Sequence, residues 1–285
     1  MVQSIKHPYC GLSVYLGSQH KKRRALAPVF ESLGMQCVEI EIDTDQYGTF
    51  SGEIERKGSV LETLNKKVQE VFSKVPQARL ALVSEGTFGP HPSLGLLPSD
   101  QESLLLFDKE LDLKIYVDEI SLETNLGEKN VKSFEEAIPF LERAKFPSHG
   151  LIIQPLENQE VLFKGIVELK KLEKAICKSL EHSPTKQAKV MTDMRAHLNP
   201  TRMRVIEQVG YKLGKRLNSF CKDCGLLGFW PLKHIEGLPC QECGLPSRAV
   251  KEYLWSCLKC SHQEIRPRED GRVYIEPGQC EGCNP

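Results

Sequence analysis

The stretch Ala78–Pro92, ARLALVSEGTFGPHP, decides how most of this chain is read. It begins as ARLALVS, a short apolar run of the length and composition of a buried strand. Within two residues its character changes: Glu85 is followed by Gly86 and Gly89, and His91 stands between Pro90 and Pro92. Glycine lets a backbone come close to a ligand, and proline stiffens a turn. A purely structural turn has no use for a carboxylate. The stretch therefore predicts a strand ending at Ser84 and then a turn. Glu85 and His91 would form one wall of a phosphate or metal site, at the strand end where α/β sheets place ligands.

Working outward, strand and helix patterns alternate. GLSVYLG (11–17) reads as a strand, SQHKKRR (18–24) as a turn leading into a helix that stops at Gly34, and MQCVEIEI (35–42) as a second strand. Residues 43–59 are polar and glycine-punctuated, a loop or irregular hairpin. VLETLNKKVQEVFSKV (60–75) places Val60, Leu61, Leu64, Val68, Val71 and Phe72 on one helical face. Beyond the opening stretch, SLLLFD (103–108) and LKIYVDEI (113–120) read as a strand hairpin. SFEEAIPFLERAKF (133–146) reads as a helix, GLIIQP (150–155) as a strand, and 158–182 as one long amphipathic helix. A link and strand follow. Asn199 as cap and Pro200 at the first helical position then start another helix. Such alternation implies an α/β fold with a mixed sheet. From Phe220 onward apolar periodicity stops and cysteine takes over. The expected organisation is an α/β domain over 1–218 and a small cysteine-rich, zinc-ribbon-like module over 219–285.

The chain has 11 cysteines. Eight form four C-x-x-C pairs: Cys221/Cys224, Cys240/Cys243, Cys257/Cys260 and Cys280/Cys283. Two cysteines flanking two residues can point at one ion, and two such pairs complete a tetrahedral thiolate site. Eight thiols thus predict two structural zinc ions, with no open position left for His234 or His262 or for catalysis. A redox motif needs only one pair. Two pairings fit the spacing. CQECGLPSRAVKEYLWSCLKC (240–260) reads as one ribbon, which leaves the outer pairs to close the second site; or the pairs combine sequentially, first with second and third with fourth.

Four stretches of the first domain carry candidate chemistry. SQHKKRR, at a helix start, suits phosphate. DTDQYGTFSGEIER (43–56) carries Asp43, Asp45, Glu53 and Glu55, hard ligands for Mg²⁺ or simply an acidic loop in water. In the helix after it, Glu62, Asn65 and Lys66 share a face. The third is the opening stretch. The fourth, TDMRAHLNPTRMR (192–204), holds Arg195, His197 and Arg202 just before or in the first turn of a helix, suited to a phosphate or a base edge.

Bulk composition narrows the function classes. Lysine plus arginine equals aspartate plus glutamate, 38 each. Residues 218–285 carry more acidic than basic side chains, and each tetrathiolate zinc adds a charge of about −2. Nucleic acid is therefore not the expected partner. No apolar run approaches the ~20 residues of a membrane span, and no export signal stands at the N-terminus. A soluble cytosolic protein without membrane contacts is expected.

Two resemblances follow from these residues. SEGTFGPHP, MTDMRAHLNPTRM, GLPCQECGLPS and the closing CEGCNP resemble a bacterial family of unassigned activity over most of the chain. Residues 11–217 are also similar in order to house-cleaning nucleoside triphosphate pyrophosphatases, which hydrolyse inosine or xanthosine triphosphate with Mg²⁺. GSQHKKRRALAPVFESLG, GTFSGEI with ETLNKK, VSEGTFG and DMRAHLNPTRMR match that family's successive segments. The usual paired aspartates are here Ser84-Glu85, and the Ser-His-Arg sequence is absent. The resemblance implies phosphate binding by Lys21, with Arg195 facing the base or the phosphates; the residues' own pattern adds Lys66, His197 and Arg202 as further candidate contacts. The resemblance also implies Mg²⁺ binding or water activation by Glu62 and Glu85; His91, read from the residues themselves, would act in proton transfer or cap a turn. The expected function is a Mg²⁺-dependent phosphohydrolase acting on a nucleotide or a phosphorylated small molecule. The alternative is a non-catalytic ligand-binding adaptor whose zinc module contacts a protein or a nucleic acid.

Overall fold

The computed structural model describes residues 6–48, 58–157 and 163–284. Its chain packs into two units, Met1–Leu213 and Gly214–Pro285.

The first unit contains a five-stranded mixed sheet built from β1 (Ser13–Gly17), β2 (Gln36–Ile40), β3 (Leu80–Pro90), β4 (Pro98–Asp108) and β5 (Leu113–Ser121), in the order β2-β1-β3-β4-β5. β1 pairs parallel with β2 and β3, and β4 runs antiparallel to both its neighbours. The chain leaves β1 for β2 through α1 (Arg23–Ser32) and returns past β1 to β3 through α2 (Val60–Lys74). Two crossovers in opposite directions make the C-terminal ends of β1 and β3 a topological switch point. Leu64, Val68 and Val71 of α2 pack with Ile42, Ala81, Val83 and Leu105. Elsewhere in the unit, α5 (Pro200–Leu217) meets α1 closely: a Cβ on Gly210 would stand 2.8 Å from Leu26.

A second sheet, β6 (Glu128–Val131), β9 (Ala188–Thr192), β7 (Leu151–Pro155) and β8 (Phe163–Ile166) in that order, is wholly antiparallel. α3 (Phe134–Arg143) and α4 (Leu169–His182) cover it, with Phe140, Leu141, Leu172 and Ile176 packed against Val131, Leu151, Ile153 and Val190. At the start of α5 the side chain of Asn199 accepts the Arg202 N–H at 3.0 Å, the cap that the sequence predicts.

Two expectations are corrected. β3 does not end at Ser84 but runs through SEGTFGP to Pro90, paired residue for residue with β4. Gly86 lies in extended backbone, and its missing side chain serves packing: a Cβ there would run into the Arg202 guanidinium and stand 2.7 Å from the Glu102 carboxylate. The turn comes later, where the His91 N–H donates to Leu97 O at 2.7 Å and His91 Nδ1 accepts from the N–H groups of Ser93 and Leu94 at 3.1 Å each. Nor is 158–182 one helix. Residues 163–166 form β8 and the helix begins at Leu169. Gly165, at φ +69°, takes a conformation that an α-helix excludes. Residues 158–162, and Glu53 and Glu55 of the proposed acidic loop, lie outside the described residues.

The second unit is a three-stranded antiparallel sheet, β10 (Trp230–Glu236), β11 (Val250–Ser256) and β12 (Gln263–Pro267). Its apolar core is small and includes the cysteines themselves: Phe229 and Trp255 with Cys221 and Cys257, and Leu238 and Ile275 with Cys240 and Cys280.

Candidate metal centres and anion site

The thiols of Cys221, Cys224, Cys257 and Cys260 lie within 4.8 Å of one another, and so do those of Cys240, Cys243, Cys280 and Cys283. The pairing is interleaved, first with third and second with fourth, and overturns both pairings expected from the sequence. Antiparallel strands explain it. The first knuckle precedes β10 and the third follows β11. Trp230 pairs with Ser256, so these two knuckles meet at one end of the hairpin. β12 then leads the chain back toward the other end, where Cys240 bridges to Ile275 and the fourth knuckle joins the second. Ribbon pairing would need β11 to bring its two ends together, which an extended strand cannot do.

All eight cysteines are free thiols. Across the paired knuckles the S···S distances are 3.6 Å (Cys221–Cys260, Cys224–Cys257 and Cys243–Cys280) and 3.8 Å (Cys240–Cys283). Sulfurs about 2.3 Å from a tetrahedral zinc would stand about 3.8 Å apart, so the donor sets fit that ion. The first two knuckles have the same backbone. The Cys221 and Cys240 N–H groups donate to Leu226 O and Leu245 O, and the Gly225 and Gly244 N–H groups donate back to Cys221 O and Cys240 O. Both glycines sit at φ +70°, which a side chain would resist.

In the first unit a cavity of about 380 Å³ opens where β1 ends, beside Ser84–Phe88 of β3. Its wall carries five cationic side chains, Lys22, Lys67, Lys164, Arg195 and Arg202, against two carboxylates, Glu85 and Asp193. The alternation of β3 sorts them. Glu85 shares a face with Val83 and meets Lys67 of α2 in a buried ion pair; Lys67 also donates to Ser84 O at 3.0 Å. Ser84 and Gly86 point to the other face. There Lys22 Nζ donates to Ser84 Oγ at 2.8 Å and Arg202 Nε to Glu102 at 2.6 Å. The Arg202 guanidinium also lies over the Phe88 ring, 4.8 Å from its centre. Arg195 is forked onto Asp193, with its closest contact at 2.6 Å. Apolar Phe88, Ile152 and Met194 complete the part of the wall that matters for shape.

So many cations in one place disturb each other. Burial, with Arg202 next in weight, lowers the Lys22 ammonium to about 8. Burial and the Lys22 charge hold the His20 imidazole neutral, down to about 3. Behind the cavity wall Asp100 is fully buried, and neither of its carboxylate oxygens has a hydrogen-bond partner among the described residues. Burial and the neighbouring Glu102 raise its carboxyl to about 8.

The structure brings Glu85, Arg195 and Arg202 to this cavity and leaves other candidates elsewhere. Lys21 and Lys66 are exposed, while their neighbours Lys22 and Lys67 turn inward. Glu62 is exposed and engaged in a capping box with Ser59 at the start of α2. His91 orders the β3–β4 turn. The exposed His197 stacks on His20 at 5.2 Å between ring centres. Lys22, Lys67 and Ser84 were missed, although a signal exists for both lysines. Each stands in an apolar stripe: Lys22 four before Leu26 and seven before Val29, Lys67 three after Leu64 and four before Val71. A lysine in phase with a buried face must have a polar destination inside. No helix among the described residues is long and apolar enough to cross a membrane.

A search of the curated proteins finds no match. Among solved structures, the protein VC0702 from Vibrio cholerae is similar over 38% of this chain and 62% of its own length, at 9% identity and a TM-score of 0.27. A nucleoside-triphosphatase, dITP/XTP pyrophosphatase, from Mycobacterium abscessus is similar over 38% of this chain and 71% of its own, at 13% identity and the same TM-score, 0.27. Scores this low carry no argument about fold or activity. Residues 69–285, most of the chain, match the family described as a domain of unknown function, DUF6671, and the protein belongs to that family.

Proposed function

We propose that the first unit binds a phosphorylated small molecule of nucleotide size and cleaves its phosphoanhydride, and that the second unit is held folded by two structural zinc ions. One observation carries the first part: five cationic side chains converge with only two carboxylates, Glu85 and Asp193, on one cavity of about 380 Å³ in a chain whose charges balance overall. That volume lies in the range of small-molecule sites. Fixed cations in a site shielded from water are what a phosphate chain, and the charge that builds up as its anhydride breaks, require. Phe88, Ile152 and Met194 offer apolar surface to the rest of the ligand.

The same wall limits what a metal does here. Among the described residues no three carboxylates converge on the cavity. Magnesium would therefore arrive on the phosphates and take at most one or two protein oxygens, Glu85 first.

The test is a panel of nucleoside triphosphates with Mg²⁺ or Mn²⁺, followed by thermal stabilisation and by pyrophosphate release. The expected result is stabilisation by at least one nucleotide and release that Glu85→Gln slows 100-fold or more. Stabilisation without release from any nucleotide would favour the non-catalytic, ligand-binding alternative. Neither effect with any nucleotide would remove the whole reading.

A further inference from the structure

We infer that Lys22 is a nucleophile that accepts the nucleotidyl group of a nucleoside triphosphate on its Nζ. The inference rests on the phosphoanhydride reading above and names the group that attacks.

Three observations lead to it. The first is position. Lys22 stands at the N-terminus of α1, just past the end of β1, and is only 6% exposed, yet it lines the cavity. The second is its partner. The other buried or half-buried cations of the wall that come from helices and from the β9–α5 connection each hold a carboxylate: Lys67 holds Glu85, Arg195 holds Asp193 and Arg202 holds Glu102. Lys22 Nζ has a hydroxyl, Ser84 Oγ, and no carboxylate within ion-pair distance among the described residues. The third is the competition. Glu85 and Asp193 are each paired with a cation, which weakens both as a base for water, although Glu85 can still offer an oxygen to the metal on the phosphates.

A lysine that lacks a counter-ion, is desolvated and has cationic neighbours loses its proton easily, and the free amine is a strong nucleophile. The remaining cations of the wall keep their charge for the phosphates. In the step itself the Nζ lone pair forms a bond to the α-phosphorus. The α–β phosphoanhydride P–O bond breaks, and its electron pair leaves with pyrophosphate. The amine gives up one proton, which Ser84 Oγ passes to solvent. Lys67, Arg195 and Arg202 face the charge that develops. Water then cleaves the N–P bond, returning the amine and releasing the nucleoside monophosphate. The sum is hydrolysis of a triphosphate to monophosphate and pyrophosphate.

The experiment uses the full zinc-loaded chain and ATP, GTP and ITP labelled at the α- or the γ-phosphorus. Denatured protein is mapped by peptide mass spectrometry. The expected result is label from the α position only, on Lys22, stable in alkali and lost in mild acid as a phosphoramidate is. Its rate of formation should rise with pH and level off above about 8, where the Lys22 amine is neutral. Lys22→Arg should keep nucleotide-dependent thermal stabilisation and lose both label and release; Ser84→Ala should slow labelling without weakening stabilisation. Mapping of the unaltered protein needs no variant, so a variant that fails to fold does not shield the idea. Pyrophosphate release with no label on Lys22, undiminished release by Lys22→Arg, or stabilisation with neither label nor release would each overturn Lys22 as nucleophile. Absence of any stabilisation by nucleotide would remove the underlying reading as well, and so is told apart from the other outcomes.

Discussion

The two units write their chemistry in opposite ways. The second gathers eight cysteines between residues 221 and 283, in pairs with two residues between them. The first gathers its cavity from Gly17 to Arg202, one or a few side chains at a time, from both sheets and from α2 and α5. A metal site demands one ligand type at a fixed bite, and that leaves a short-range mark. An anion site demands only that charge reach one place, and many scattered residues can deliver it. The units differ in what holds them too. The tetracysteine unit has a small core that includes its own thiols, whose two clusters fit structural metal ions; the cavity unit has two apolar layers and carries its buried charges as a cost offset by ion pairs.

The largest effect expected from this contrast is metal removal. A structural zinc contributes on the order of 10–16 kcal/mol of apparent folding free energy. A strong chelator should therefore collapse the amide dispersion of residues 214–285 in an NMR spectrum, while the signals of the first unit stay dispersed. Metal analysis should find two zinc ions per chain. It also tests the interleaving: the double variant Cys224→Ser/Cys257→Ser should keep one zinc, and Cys224→Ser/Cys243→Ser should lose both. The opposite result would restore a sequential pairing.

Next in size is the buried pair Arg202–Glu102. Arg202→Met leaves Glu102 charged and buried, and breaking such a pair costs about 3–5 kcal/mol. Urea unfolding of the first unit should show that loss. A loss below about 1 kcal/mol would mean that water reaches the pair. The last expected effect is a change in pH dependence. The Asp100 carboxyl stands higher in the folded protein than in the unfolded chain, where it titrates near 4. Its contribution to stability is therefore complete below about pH 4 and is lost as pH rises through about 8. Asp100→Asn should flatten the fall in melting temperature between those limits and be most stabilising, relative to the unaltered protein, at pH 9.

Much of the fold was legible. The strands at 13–17, 36–40, 113–121, 151–155 and 188–192, and the helices at 23–32, 60–74, 134–143 and 200–217, follow from apolar periodicity and from caps such as Asn199-Pro200. Where the reading failed, a local signal was outweighed by a distant partner. Gly86 and Gly89 suggest a turn until β4 is present to pair with them. FKGI merges into a helix until β7 offers an edge. The site was legible in part for a related reason. Glu85, Arg195 and Arg202 were found by residue type, whereas Lys21 and Lys66 were preferred over Lys22 and Lys67 by motif. Successive residues on a helix point about 100° apart, so one position separates an exposed lysine from a buried one, and the apolar stripe was the better guide.

By itself the sequence determined that this chain has an α/β part and a tetracysteine part, and which eight thiols make up the latter. Spacing and periodicity are local, and local geometry follows from the backbone alone. Only the tertiary structure decided which knuckles come together and which lysines face the cavity. Both depend on strand direction and helix phase, set by contacts between residues far apart in the chain, and no short stretch encodes them.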